Sequence, residues 1–367
     1  MRIDSIDIVD FKNIAAANLE FSPRVNCLLG LNGMGKSNLL EAIHILSMAR
    51  PMRNMPESAL IRHGQPAMML KGVYELDSGV EERVSCGIVR GKGKTLRRND
   101  KEYQRISEHI GKFPVVTVSP SDTELVVGSG EVRRKLMDVV ISQADSSYLS
   151  RLIRYNKALE SRNKMLRAGV NDKLLYESIE TVMCETATEI HGVRMRWVGD
   201  IQPDFGRYYK SISGDAEKAS LSYKSVLGQR ALQEVFDSER ARDLALGFTS
   251  QGIHRDDIAM QLDDYSMRRL GSQGQMKTFT IALKFAVYDF LRRSAVEKPV
   301  LLLDDIFDKL DAGRVSRIIE KVSSGDNFGQ IFITDTNREH LDETLGALKS
   351  ESRVFEVKDG SFELLSC

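Results

Sequence analysis

The sequence predicts an α/β fold: a phosphate-binding head with mixed sheets, carrying an inserted helical arm. Three observations predict it. A short apolar strand, Val25–Leu29, runs into a glycine-rich loop and then into residues 39–46 with helical apolar spacing. Two continuous apolar strands, Pro299–Leu303 and Gln330–Thr334, are separated by one helix, the βαβ order of a right-handed parallel crossover. Between these lies a proline-free stretch, about 131–200, whose apolar residues recur at helical intervals.

The loop reads Gly30-Leu31-Asn32-Gly33-Met34-Gly35-Lys36-Ser37, followed by Asn38. Two glycines five apart, then lysine and a hydroxyl residue, form the phosphate-binding pattern. Glycines let backbone N–H groups wrap phosphate oxygens that a Cβ would keep away. Lys36 is expected to reach the β- and γ-phosphates, and the Ser37 hydroxyl to complete a Mg²⁺ shell. The helix that follows places its N-terminus against the same anion. Together they predict a nucleoside triphosphate site.

Composition sets bounds. At 367 residues, the chain has room for two domains or one large domain with an insertion. Lys+Arg and Asp+Glu both number 52, so any basic surface must be local. Cys27, Cys86, Cys184 and Cys367 have no metal-ligand or redox spacing, as suits a reducing cytosol. The N-terminus lacks a signal-like apolar run, and no stretch approaches the roughly 20 apolar residues of a membrane span. A soluble, cytoplasmic protein is expected.

In chain order, Ile6–Phe11 alternates imperfectly, like an edge or half-buried strand, and strand signals return over 68–118. Within them lies a cationic hairpin with Arg90, Lys92, Lys94, Arg97, Arg98, Lys101 and Arg105, opposed by only Asp100 and Glu102. Such a hairpin fits on nucleic-acid phosphates and fits equally as a solvated edge. Arg133, Arg134 and Lys135 at the base of the arm, and Arg151, Arg154, Lys157 and Arg162 along its first helix, are the next candidates for DNA contact, with a solvated face as the alternative.

In the arm, Leu149, Leu152, Ile153 and Leu159 are expected on one face of the first helix. Leu175, Ile179, Val182, Met183, Thr186, Ile190, Val193 and Trp197 should line the facing helix, with a turn at 167–172. The expected division is 1–120 and 245–367 for the head and 121–244 for the arm.

The strand 300–303 ends in Asp304-Asp305. Four apolar residues and an acid, in a chain with the phosphate loop, form the Walker B arrangement. Asp304 would hold Mg²⁺ and Asp305 would orient or polarise the attacking water; a solvated pair of helix-capping acids is the alternative. Ser272-Gln273-Gly274-Gln275 opens the helix to Leu291. By itself this is an N-cap; with Walker A and B present, its place matches an ABC-type signature, a second anion site. Asp308-Lys309-Leu310-Asp311 stands where a D-loop belongs. His254, in Gly252-Ile253-His254-Arg255-Asp256-Asp257, is expected in a structural or interface network rather than in direct catalysis.

Those motifs, taken together, resemble the RecF family, relatives of the SMC-type heads. The resemblance rests on residues 32–42, 252–257, 272–275 and 302–311 and covers essentially the whole chain. It implies an ABC/SMC-like P-loop ATPase head with an inserted helical arm. It further implies an ATP-dependent homodimer clamping double-stranded and gapped DNA, promoting RecA loading with RecO and RecR in recombinational repair, replication and the SOS response. By similarity, Lys36, Ser37 and Asp304 bind ATP–Mg²⁺, Asp305 assists hydrolysis, and Ser272 to Gln275 contact the partner's ATP.

Three departures bear on hydrolysis. Asp305 stands where such heads carry glutamate, Val118–Asp122 lacks the Q-loop glutamine, and Thr334-Asp335-Thr336 replaces the switch histidine. Slow turnover is expected. Competing readings are a DNA-processing nuclease, for which no catalytic domain follows the last strand, and an SMC-type chromosome-organising head, which needs far longer heptads. A transporter subunit fits neither the arm nor the His-Arg-Asp-Asp run.

Overall fold

The computed structural model describes residues 1–53, 55–214, 217–308, 310–323, 328–336 and 352–365. Packing divides the chain into two compact units. The first comprises Met1–Asp122, Ser211–Ser213 and Val287–Cys367, the second Thr123–Lys210 and Gly214–Ala286. Residues 245–286, expected with the head, cluster in the second unit.

The chain begins with β1 (Arg2–Phe11), β2 (Ile14–Glu20), β3 (Val25–Leu29), α1 (Lys36–Met48), β4 (Ala67–Glu75), β5 (Glu81–Val89), β6 (Gly93–Arg98), β7 (Lys101–Glu102) and β8 (Val115–Val118). It continues through α2 (Glu124–Val127), α3 (Gly130–Ala144), α4 (Ser146–Arg167), α5 (Lys173–Ser213), β9 (Ala219–Lys224) and α6 (Leu232–Leu246). Then come β10 (Asp257–Leu262), β11 (Tyr265–Ser266), α7 (Met267–Leu270) and α8 (Gln273–Ser294). The last described elements are β12 (Val300–Asp304), α9 (Ala312–Ser323), β13 (Ile331–Asp335), β14 (Ser352–Lys358) and β15 (Ser361–Leu365).

The first unit holds two six-stranded sheets. One is antiparallel, in the order β2-β1-β4-β5-β6-β7; the other runs β15-β14-β3-β13-β12-β8 and is parallel except at β15. β12 and β13 are buried along their whole length, which is why they read as unbroken apolar runs rather than alternating ones. α1 touches strands of both sheets and is buried on nearly every side, with its buried Glu41 paired to Lys12. The order of the parallel sheet matters most for function. β13, late in the chain, lies between β3 and β12, pairing Asp304 with Thr334 and Asp335 with Leu29. Three strand ends therefore meet at one carboxyl edge, where open α/β sheets bind ligands.

In the second unit, α4 and α5 form an antiparallel pair. Arg162 meets Glu180, Arg151 meets Glu189 and Tyr148 meets Arg194, so one helix ascends as the other descends. Local sequence sets the turn: Asp145 caps α4 through the N–H groups of Ser147 and Tyr148, and Asp172 caps α5 through that of Leu175. α5 continues through Pro203 to Ser213, beyond the limit near 200 that the proline-free stretch suggested. On α4 the buried residues are Tyr148, Tyr155, Ala158, Arg162, Met165 and Leu166, whereas Ile153 is 49% exposed. Of the expected face, Leu149, Leu152 and Leu159 are half-buried beside these residues, and Ile153 alone of the four turns to solvent. A core built on tyrosine hydroxyls and ion pairs escapes a reading that counts only apolar residues.

Among the described residues, no helix is long and apolar enough to cross a membrane, and no three His, Cys, Asp or Glu residues gather as a metal cluster. Cys367 and Lys309 lie outside the described residues.

Candidate nucleotide-binding site

The loop after β3 is held by backbone contacts that demand glycine. A Cβ on Gly30 would stand 2.4 Å from the Val357 carbonyl oxygen of β14. Gly35 has φ +118°, and a Cβ there would sit 3.0 Å from the Asn13 side chain. Such a backbone suits glycine and few other residues. Leu31, Asn32 and Gly33 are exposed at the loop's tip, while Lys36 is buried. The Lys36 ammonium donates to the carbonyls of Gly30 at 2.6 Å and Leu31 at 3.0 Å. α1 begins at Lys36 with no side-chain cap, which leaves first-turn N–H groups for an anion.

Sequence reasoning missed the brace around this loop. Asn13, in the turn from β1 to β2, donates to the Met34 carbonyl at 3.2 Å and accepts from the Asn38 amide at 2.7 Å. The Gly360 N–H donates to Met34 at 2.8 Å. Neither Asn13 nor Gly360 carries a motif, because each acts through sheet pairing with a distant segment.

Ser37, Asp304, Asp305 and Thr334 meet at the sheet edge. The Ser37 hydroxyl donates to Asp304 Oδ1 at 2.7 Å, and the Thr334 hydroxyl donates to the same oxygen at 2.9 Å. The Asp305 N–H donates to Thr334 Oγ1 at 2.9 Å. Asp305 has φ 44°, a left-handed backbone, and its carboxyl pKa is raised by burial and then by the Asp304 charge. Ser37 and Asp304 converge hard oxygen donors on one point, the ligand type Mg²⁺ takes alongside phosphate and water oxygens.

The expected signature, Ser272 to Gln275, belongs to the second unit and forms a capping box. The Ser272 N–H donates to Gln275 Oε1 at 2.9 Å, and the Gln275 N–H donates to Ser272 Oγ at 3.2 Å. The Gln275 amide also donates to Glu217 at 2.9 Å, while Ser272 and Gln273 are exposed. In the D-loop segment, Asp311 accepts from the Arg314 N–H at 3.0 Å and so starts α9.

The Gly-x-His-Arg-Asp-Asp run is woven into the helical unit. His254 Nδ1 lies 2.8 Å from the Tyr155 hydroxyl and Nε2 lies 3.0 Å from the Thr249 carbonyl; burial depresses its pKa to about 4. Asp256 accepts from Arg194 at 3.0 Å and from Tyr223. Asp257 accepts both arms of the Arg133 guanidinium, at 2.6 and 2.9 Å. Arg255 is the exposed side chain of the run, stacked on Phe248.

Among the cations expected to meet DNA, a set of six, Lys92, Lys94, Arg97, Arg98, Arg133 and Arg134, divides sharply. In β6, Lys94 and Arg98 share the inward face with buried Leu96, where Lys94 pairs with Glu57 and Arg98 with buried Glu82. Arg133 is buried, and Arg134 donates to the Asp256 carbonyl at 2.6 Å. Only Lys92 and Arg97 of the six face outward, and Arg90 and Lys101, outside that set, are exposed beside them. Within β6, strand alternation turns Arg97 outward and Lys94 and Arg98 inward, a division that a count of charges cannot see.

The RecF/RecN/SMC N-terminal domain family matches residues 2–362. The DNA replication and repair protein RecF of Porphyromonas gingivalis is 47% identical over 361 residues, covering 98% of this chain and 99% of that protein. Its namesake in Phocaeicola vulgatus is 46% identical over 362 residues, covering 98% and 97%. A solved structure of the recombination mediator RecF with ATP, from the RecFOR pathway, superposes with a TM-score of 0.89 at 29% identity, covering 99% of this chain and 97% of that one. The Smc head domain derived from Pyrococcus furiosus, at TM-score 0.61 and 18% identity, shares the fold. Matched along its length at such identity, the chain belongs to the RecF family and folds as an ABC/SMC-type ATPase head with a helical arm.

Proposed function

We propose that this chain is an ATP-switched DNA-binding protein of replication and recombinational repair, acting in the cytoplasm as a dimeric clamp at gapped DNA. Kinship to RecF proteins, named for DNA replication and repair and for the RecFOR pathway, supports the setting. It also suggests RecO, RecR and RecA as co-workers. The observation that carries the reading is the convergence of Ser37 and Asp304 at the sheet edge that bears the phosphate loop.

In this reading, residues Gly30 to Asn38 cradle the triphosphate, and Lys36 exchanges its two loop carbonyls for phosphate oxygens. Ser37 and Asp304 would hold Mg²⁺, which when bound would neutralise charge on the triphosphate. Asp305 accepts a proton from water as its oxygen attacks the γ-phosphorus, and the bond to the bridging oxygen breaks to leave ADP and phosphate. Ser272 to Gln275 close over the nucleotide of a second copy, so that two heads join only when ATP lies between them. DNA lies on the exposed cations Arg90, Lys92, Arg97 and Lys101.

Asp305→Asn tests this. Light scattering should find ATP-dependent dimers that form as in the wild type and last longer, because binding is kept and hydrolysis lost. Dimers that never form with ATP, in either protein, overturn the clamp.

A further inference from the structure

Thr334 occupies a place that the proposed chemistry leaves without a role. It is fully buried near the end of β13 and bonds to both Walker B acids. We propose that Thr334 is a positioning residue for ATP hydrolysis: its hydroxyl holds the main chain of Asp305 in register with Asp304. The proposal rests on the reading of Asp305 as the hydrolytic acid.

A threonine hydroxyl has one proton and two lone pairs. Its proton goes to Asp304 Oδ1 at 2.9 Å, so a lone pair receives the Asp305 N–H at 2.9 Å. Asp305 Oδ1 lies farther from the hydroxyl, at 3.5 Å, where a hydrogen bond is weak. The proton is thus committed to Asp304 rather than to the Asp305 carboxyl. Asp305 meanwhile sits at φ 44°, outside the regions a non-glycine residue prefers. A strained residue persists only where its surroundings over-determine it, and the bond from its N–H to Thr334 is one such restraint. Burial leaves no solvent to take over when the hydroxyl is removed.

Tertiary structure makes this possible. β13 is inserted between the strand of the phosphate loop and the strand of Asp304, and register sets Thr334 directly opposite Asp304. Ser37 donates to the same Asp304 oxygen from the other side. The chain of contacts therefore runs Ser37–Asp304–Thr334–Asp305, from the loop that holds phosphate to the acid that serves water.

Thr334→Val keeps the shape and deletes the hydroxyl; Thr334→Ser keeps the hydroxyl. Four quantities separate the outcomes in the full-length protein: affinity for a fluorescent ATP analogue with Mg²⁺, single-turnover hydrolysis, lifetime of the ATP-dependent dimer, and melting temperature. The valine variant should bind nucleotide like the wild type, hydrolyse it about 10–100-fold more slowly, the scale of a misplaced catalytic group, and form longer-lived dimers; serine should restore the wild-type rate and dimer lifetime. If the valine variant does not fold, Thr334→Ala takes its place.

Wild-type hydrolysis by the valine variant would overturn the inference, as would affinity falling in step with turnover or a failure of serine to rescue. Asp305→Asn separates this from the wider reading. If the asparagine variant hydrolyses ATP like the wild type, the role of Asp305 fails; if it is inactive while the valine variant is not, only the role of Thr334 fails.

Discussion

Replacing Arg133 by alanine would remove a side chain that makes four hydrogen bonds within the second unit. Two go to Asp257, and two reach the carbonyls of Leu125 at 2.9 Å and Gly128 at 3.0 Å. The guanidinium is 6% exposed and the carboxylate 39%. Burial pushes the Asp257 carboxyl pKa up, but the bond and charge of Arg133 outweigh it and hold the group below its usual range. Breaking a fully buried pair costs about 3–5 kcal/mol. Water can reach the freed Asp257, which favours the lower end, near 3 kcal/mol. At about 2–4 °C per kcal/mol for a unit of this size, Arg133→Ala should lower the melting transition of the second unit by about 6–12 °C. The folded variant should bind duplex DNA like the wild type, because a buried guanidinium does not touch phosphate. Calorimetry of the full chain and a DNA titration below the transition are the assays. An unshifted transition with lost DNA affinity would refute the argument and make Arg133 a DNA ligand.

Three further outcomes are expected. Changing Arg90, Lys92, Arg97 and Lys101 together to serine should reduce the slope of log K against log salt for duplex binding by up to about 3.6, from about 0.9 per phosphate contact; an unchanged slope would move the DNA path elsewhere. Gly35→Ala forces a side chain onto φ +118° against Asn13, a strain of about 1–3 kcal/mol, and should abolish binding of a fluorescent ATP analogue; wild-type affinity would remove the loop from the site. His109 is fully buried, and burial lowers its pKa from 6.5 to about 4. The unfolded chain takes up that proton below about pH 6.5 and the folded chain only near pH 4, so its contribution to stability is complete above 6.5 and is lost as pH falls toward 4. The loss reaches about 3 kcal/mol. Urea unfolding between pH 4 and 7 should show it, and a His109→Gln variant with the same pH slope would refute it.

Much of the head was legible because its signals are local. A strand, a glycine loop, a helix and an apolar strand ending in Asp304-Asp305 each occupy a few consecutive residues, and the observed β3–loop–α1 and β12 follow that order. The arm was legible as two helices with a turn near 167–172, since caps and periodicity act over one or two turns. Its packing was not. Arg162 is fully buried against Glu180 and Asp243, at 2.8 and 2.7 Å, a core made from residues that sequence reading assigns to the surface.

By itself, then, the sequence determined the kinds of element, the phosphate loop and the acids at a strand end, all written in neighbouring residues. Only the tertiary structure decided which strand lies between which. That order brings Thr334 to Asp304 across 30 positions of chain and Asn13 to the phosphate loop. It also decided which cations of the 90–105 hairpin face solvent, because strand pairing assigns alternate side chains to opposite faces. Sheet order and register are set by pairing between distant segments, and no window of sequence contains both partners.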